Sequence, residues 1–280
     1  MNTAYFNGVF LPKDQVKISP DDRGFLFADG IYEVVRWYKD SFYDMPGHMQ
    51  RLKNSLREIK IEWQSVEVFP RVAEELIRLN SLTDTPSMVY LQVTRGAAKR
   101  THNFPRHVVE PTVYSYAWGF TPDKESQVTG IRVMLAEDIR WSRCNIKSIA
   151  LLPNTLGFQE ATEHGFKECI FVRNGYITEG SHSNIFFVLD NTLITHPESN
   201  FILPGITRRN VLRLAAEAGI SIREEALNQN RIEDVTEAFI TNTSAEVTPV
   251  TMIGEKTIGG GKPGVITRLL VDRFARETTR

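Results

Sequence analysis

The sequence predicts an α+β chain. Runs of β-branched and aromatic residues are interspersed with amphipathic stretches, hairpin signals recur, and the order is not a strict strand–helix–strand alternation. A doubly wound parallel sheet needs that alternation, whereas hairpins with helices beside them do not.

Taken in order, residues 4–6 and 9–11 flank Asn7-Gly8, a dipeptide suited to the positive φ of a tight hairpin. Residues 19–30, SPDDRGFLFADG, are rich in turn formers and lead into a predicted strand over 31–38, IYEVVRWY. A period of two puts Tyr32, Val34 and Arg36 on one face, and Ile31, Glu33, Val35 and Trp37 on the other. Met49, Leu52, Leu56 and Ile59 recur at helical spacing, predicting a helix over 48–62 with Arg51 near the edge of its apolar stripe. A second helix is expected over 66–79. Strands follow over 88–94 and 111–118, separated by the basic loop 95–105.

Residues 119–126, GFTPDKES, lack periodicity and carry Gly and Pro, the signature of a linker. The expected organisation is two lobes, over 1–120 and 127–280, joined by a linker at 121–126. In the larger lobe, strands are expected at 131–136, 168–172, 176–178, 184–189, 192–195 and 237–241. Asn174-Gly175 marks a second hairpin. Helices are expected over 156–165, closed by Gly165, and from an N-capping Thr207 to Ala218, closed by Gly219. A terminal helix is expected over 264–276.

Composition narrows the function. A net charge of -1 gives no electrostatic footprint for nucleic acid or an anionic membrane surface. Two cysteines, Cys144 and Cys169, make no disulfide framework, so a reducing cytoplasm is the expected compartment. The N-terminus shows no basic leader with an apolar core, and no apolar run is long enough to span a bilayer. The histidines are scattered without ligand spacing, so no metal site is expected. No G-x-S-x-G element appears, which weighs against an α/β-hydrolase.

Five spots can carry chemistry. In residues 137–154, EDIRWSRCNIKSIALLPN, Lys147 lies between Ile146 and an apolar run. A lysine against apolar surface loses hydration, and its free amine can then form a Schiff base with a carbonyl cofactor. The ordinary alternative is a lysine that snorkels to solvent. Glu179 heads EGSHSN just past a strand, placed either beneath a ring nitrogen or as an exposed hairpin acid. LPGITR (203–208) opens a helix, either a phosphate cradle or an ordinary capped start. TNTS (241–244) adds hydroxyl donors or ends a strand. The basic loop holding Arg95, Lys99, Arg100 and His102 is either a carboxylate trap or solvated surface. GGGKP (259–263) lacks the spacing of a phosphate loop and reads as a flexible connection.

Together these pieces resemble the fold-type IV pyridoxal-phosphate enzymes, most closely the D-amino acid (D-alanine) aminotransferases. The matching stretches are DRGFLFADGIYEVVR, HMQRL, VTRGAAKRTHNFP, EDIRWSRCNIKSIALLPN, ITEGSHSNIF, FILPGITR and FITNTSAEVTPV, in order along nearly the whole chain. The resemblance implies a small α/β lobe and a larger pseudobarrel lobe, with pyridoxal 5'-phosphate as cofactor. It implies Lys147 as Schiff-base lysine and proton shuttle, and Glu179 as partner of the pyridinium nitrogen. Arg51, the Ile206 and Thr207 amides, Thr243 and Asn242 would hold the phosphate. Arg140 would lie on the phenolic-oxygen side, and Tyr32 and Val34 would face the substrate. Arg100 and His102, reaching from the neighbouring subunit of a homodimer, would trap the α-carboxylate of D-alanine or D-glutamate, with 2-oxoglutarate or pyruvate as acceptor. His182 and Asn242 stand where the pattern often has hydroxyl residues. On the same fold, a branched-chain L-amino acid or (R)-amine aminotransferase and an aminodeoxychorismate lyase are the alternatives. A non-catalytic phosphate-ligand binding protein is the alternative of another class.

Overall fold

A computed structural model of the chain describes residues 2–279. They form two units, one running to Thr121 and taking in Ile146–Ala150, the other comprising Pro122–Asn145 and the chain from Leu151 onward.

In the first unit, β1 (Thr3–Phe6) and β2 (Val9–Pro12) form the hairpin around Asn7-Gly8, and both turn residues have positive φ. A short helix α1 (Arg23–Phe27) starts at Asp22, whose carboxylate accepts from the Gly24 amide, and leads into β3 (Gly30–Trp37). Then come α2 (Met45–Glu58), α3 (Phe69–Leu79), β4 (Ser87–Thr94) and β5 (Thr112–Gly119). The strands make one antiparallel sheet in the order β2-β1-β5-β4-β3. One face buries Ile31, Val35, Val89 and Leu91 against Leu52 and Leu56 of α2 and Phe69 and Leu76 of α3. Each such side chain contributes about 2 kcal/mol of apolar burial. The other face carries a row of rings, Tyr32, Tyr90, Tyr116 and Trp118, with successive centroids 5.2–5.8 Å apart.

The predicted boundary put Lys147 in the later lobe; the structure puts it in the first unit. Tyr32 N–H donates to the Lys147 carbonyl at 2.9 Å, Ile149 N–H donates to Gly30 O at 3.1 Å, and Ile146 is buried in the first unit's core. The two units divide between Thr121 and Pro122, inside the stretch 121–126 expected as a linker, but part of that stretch is helical. Residues 124–129 form a helix, α4 (Lys124–Thr129), capped by the Asp123 carboxylate accepting from Ser126 N–H. Six residues are too few to show a helical period.

The second unit continues with β6 (Ile131–Glu137), α5 (Leu152–Glu163), β7 (Glu168–Arg173), β8 (Tyr176–Gly180), β9 (Asn184–Leu189) and β10 (Thr192–Thr195). There follow α6 (Ile206–Glu217), β11 (Ser221–Glu224), β12 (Glu237–Asn242), β13 (Glu246–Ile253), β14 (Lys256–Thr257) and α7 (Val265–Thr278). Its mixed sheet runs β11-β10-β9-β12-β13-β6-β7-β8, with β14 beside β13. The last strand, β8, nevertheless packs beside β9, so the sheet curls back as a half-barrel. The α+β class with a pseudobarrel holds.

Three local expectations change. Helix α6 is capped by Gly205, with Thr207 already inside its first turn. Helix α5 begins at Leu152, because Pro153 occupies its first turn, where a missing N–H costs nothing. Strands β11, β13 and β14 were not expected. Among the described residues, no helix is long and apolar enough to cross a membrane.

Candidate active site

In the first unit, Lys147 is held by its backbone before its side chain does anything. Its N–H donates to Ser55 Oγ of α2 at 3.2 Å, and its carbonyl accepts from Tyr32. Gly30 permits this approach: a Cβ there would lie 2.7 Å from Val93 O and 3.0 Å from Ile149 Cδ1. The half-buried Lys147 ends with Nζ 4.2 Å from the centre of the Tyr32 ring. Tyr32 in turn stacks on Tyr90. Tyr32 and Val34 share the less buried face of β3, as their alternation required.

Arg51 is buried, and its guanidinium meets a carboxylate of the same unit. Nη2 and Nε lie 2.6 and 3.0 Å from the two oxygens of Glu33, which is 0% exposed. His48 Nδ1 lies 3.0 Å from Glu33 Oε1. Burial pushes the Glu33 carboxyl up, but Arg51 and His48 outweigh it and hold it far below the usual carboxylate range. Burial lowers the His48 imidazole, the facing Glu33 carboxylate pulls it back up, and the Arg51 and Lys147 cations add to the lowering. Arg100 and His102 stand together on an exposed loop around Phe27, with the Arg100 guanidinium 5.1 Å and the His102 ring 5.7 Å from its centroid.

In the second unit, Glu179 is no exposed hairpin acid: it is 5% exposed. Oε1 accepts from Arg140 Nη1 at 2.6 Å, and Oε2 from Asn184 Nδ2 and Leu203 N–H at 2.9 Å each. Burial raises its carboxyl to about 7, with Arg140 and the Leu203 amide pulling the other way. Arg140 is itself clamped by Asp138, through Nε at 2.9 Å and Nη2 at 3.0 Å, and reaches the Phe201 carbonyl. Its side chain therefore backs Glu179.

Asn184 joins this acid to the start of α6. Its amide also donates to Leu203 O at 3.0 Å, and a Cβ on Gly205 would fall 2.0 Å from its Oδ1. Because Gly205 supplies no capping side chain, the first-turn N–H groups around Ile206 and Thr207 keep their capacity for an anion. Helix α6 packs on β12, whose end holds two buried donors without partners, Thr241 Oγ1 and Asn242 Nδ2. Asn242 Oδ1 accepts from Ser244 N–H and Ala245 N–H, shaping the turn that carries Thr243.

These residues fit the expected cofactor. An uncapped helix start and orphaned donors suit a phosphate, a buried carboxylate suits a pyridinium, and a lysine on an aromatic ring suits an aldehyde. The first unit brings Lys147 to Tyr32, and Arg51 to Glu33; the second brings Arg140 and Asn184 to Glu179 beside the α6 start. Sequence reasoning passed over Glu33, His48, Asp138 and Asn184. Glu33 had a signal, since a carboxylate on the same strand face as Ile31, Val35 and Trp37 requires a partner.

Each unit thus carries residues that suit a part of a phosphorylated, ring-bearing carbonyl cofactor, as a pyridoxal-phosphate enzyme needs. Residues 30–253 match the family Amino-transferase class IV. The D-alanine aminotransferase of Staphylococcus haemolyticus is 36% identical over 275 residues, covering 98% of this chain and 97% of that one. That of Bacillus licheniformis is 38% identical, covering 94% and 92%. The branched-chain amino acid aminotransferase of Escherichia coli superposes with a TM-score of 0.92 at 27% identity, covering 99% of this chain and 95% of the other. The chain belongs to the class IV aminotransferases, which are pyridoxal-phosphate-dependent enzymes.

Proposed function

We propose that the chain transaminates D-amino acids such as D-alanine or D-glutamate with 2-oxo acids such as 2-oxoglutarate or pyruvate. The observation that carries this reading is that one loop brings Arg100 and His102, a guanidinium and an imidazole, to the same Phe27 ring, a combination that suits an α-carboxylate. Sequence relatives at 36–38% identity named D-alanine aminotransferases support it. The branched-chain reading is favoured by overall shape, at 27% identity. Shape is common to the fold, so the loop chemistry and the higher identity decide.

When bound, pyridoxal phosphate supplies an aldehyde for amino-group exchange and a ring that accepts the electron pair of the substrate's Cα. Arg51, the Ile206 and Thr207 amides, Thr243 and Asn242 would hold its phosphate. Glu179, steadied by Arg140, would keep a proton on the ring nitrogen. Lys147 Nζ would anchor the cofactor through its aldehyde, and the same amine would take the substrate's Cα proton and later return one, serving as base and then acid. Arg100 and His102, contributed by the neighbouring subunit of a homodimer, bind the α-carboxylate with Tyr32, while Val34 borders the side chain. One 2-oxo acid leaves before the second enters, giving ping-pong kinetics. Two buried, unpaired cysteines accord with a cytoplasmic enzyme.

The test is a panel of alanine enantiomers with 2-oxoglutarate. Consumption of the D form alone is expected; preference for L-amino acids would move the chain to the branched-chain reading.

A further inference from the structure

An exposed loop with charged side chains samples many conformers unless something ties it down. In the loop between β4 and β5, two arginines do so. Arg95, at its start, gives Nε and Nη2 to the two oxygens of Asp29 at 2.8 Å each. It also reaches the Lys60 and Ile59 carbonyls just past α2, at 2.8 and 2.7 Å. Arg23 of α1, 3% exposed, shares Asp29 Oδ2 through its Nε at 2.8 Å. Its Nη1 donates to the Thr101 carbonyl at 2.7 Å, on the residue between Arg100 and His102. The Arg23 guanidinium also lies 4.6 Å from the Phe27 ring centre, the same ring that Arg100 and His102 approach. Burial pushes the Asp29 carboxyl up, but the two arginines overcome it and keep it a carboxylate.

We propose that Arg23 is a positioning residue for carboxylate recognition: it pins the Thr101 carbonyl and supports Phe27, so that Arg100 and His102 are presented as a preformed pair. The inference rests on the reading of those two residues as the carboxylate trap, and adds the element that shapes it. Arg23 acts without touching the substrate. A charge-assisted hydrogen bond of this length, once lost, frees the backbone of both trap residues together.

The experiment compares Arg23→Gln, Arg23→Lys, Phe27→Leu and Arg100→Ala as pyridoxal-phosphate-loaded enzymes. The readout is the half-reaction with D-alanine and with a primary amine lacking a carboxylate, followed by loss of the yellow band. Arg23→Gln should raise the KM for D-alanine about tenfold with kcat nearly unchanged, while the amine reacts as in the wild type. Arg23→Lys should recover part of the loss, because an ammonium can still donate to the carbonyl. Phe27→Leu removes the platform without removing a charge, and should show the same split even where an Arg23 variant fails to fold. Should Arg100→Ala discriminate between the two substrates while the Arg23 and Phe27 variants do not, the inference is wrong and the trap stands. Should Arg100→Ala slow both substrates alike, trap and inference fall together.

Discussion

Glu33 and Arg51 meet fork to carboxylate out of reach of water, with Nη2–Oε1 at 2.6 Å and Nε–Oε2 at 3.0 Å. The pair fixes the direction of the Arg51 guanidinium, and the phosphate contact proposed for Arg51 would draw on that preorganisation.

That pairing predicts a stability cost. Glu33→Ala would remove the carboxylate that faces the buried Arg51 guanidinium, destabilising the cofactor-free chain by about 3–5 kcal/mol in urea unfolding. A loss below about 1 kcal/mol would contradict the pairing. The pH dependence has a definite sign. Glu33 titrates far below its ordinary 4.5 when folded, so its contribution is present above that value and fades as the pH falls below it. Glu33→Gln should flatten stability on the acid side only.

Glu179 behaves oppositely. Burial raises it from 4.5 to about 7, so between those values the cofactor-free folded chain keeps a proton that the unfolded chain has lost. Its contribution is therefore full below 4.5 and lost as the pH rises through about 7. Glu179→Gln should remove that slope in the cofactor-free chain and lower kcat of the loaded enzyme on the order of a hundredfold. An unchanged slope would show that the buried acid titrates elsewhere.

Asn242 offers a cleaner probe of the phosphate cradle. Its Oδ1 shapes the turn, while its buried Nδ2 has no partner. Asn242→Asp keeps the turn bonds and replaces the donor with a charged acceptor. Pyridoxal phosphate should then bind more weakly by roughly tenfold or more, measured by equilibrium dialysis at a temperature where the variant stays folded. Unaltered affinity would place the phosphate elsewhere.

Much of this was legible from residue type and spacing, for reasons that particular elements make clear. The alternation over 31–37 put Tyr32 and Val34 on one face and Glu33 on the other, because a strand's period is rigid. Strand β13 stayed hidden because Pro249 sits inside it, a residue that argues against a central strand. Its ladder to β6 begins only at Val250, just past the proline. The assignment of Lys147 to the first unit was invisible for another reason. It depends on main-chain bonds to β3, more than a hundred residues earlier, and no side-chain pattern reports those. The same holds for Asn184, whose link between Glu179 and the α6 start is a product of tertiary folding.

The central claim is that Lys147 carries the cofactor. Borohydride reduction of the yellow enzyme makes the lysine–cofactor link permanent, and peptide mapping by mass spectrometry then finds it. The account predicts the phosphopyridoxyl label on Lys147, and a Lys147→Ala chain that is colourless and inactive. A label on any other lysine, or an active Lys147→Ala chain, would contradict it.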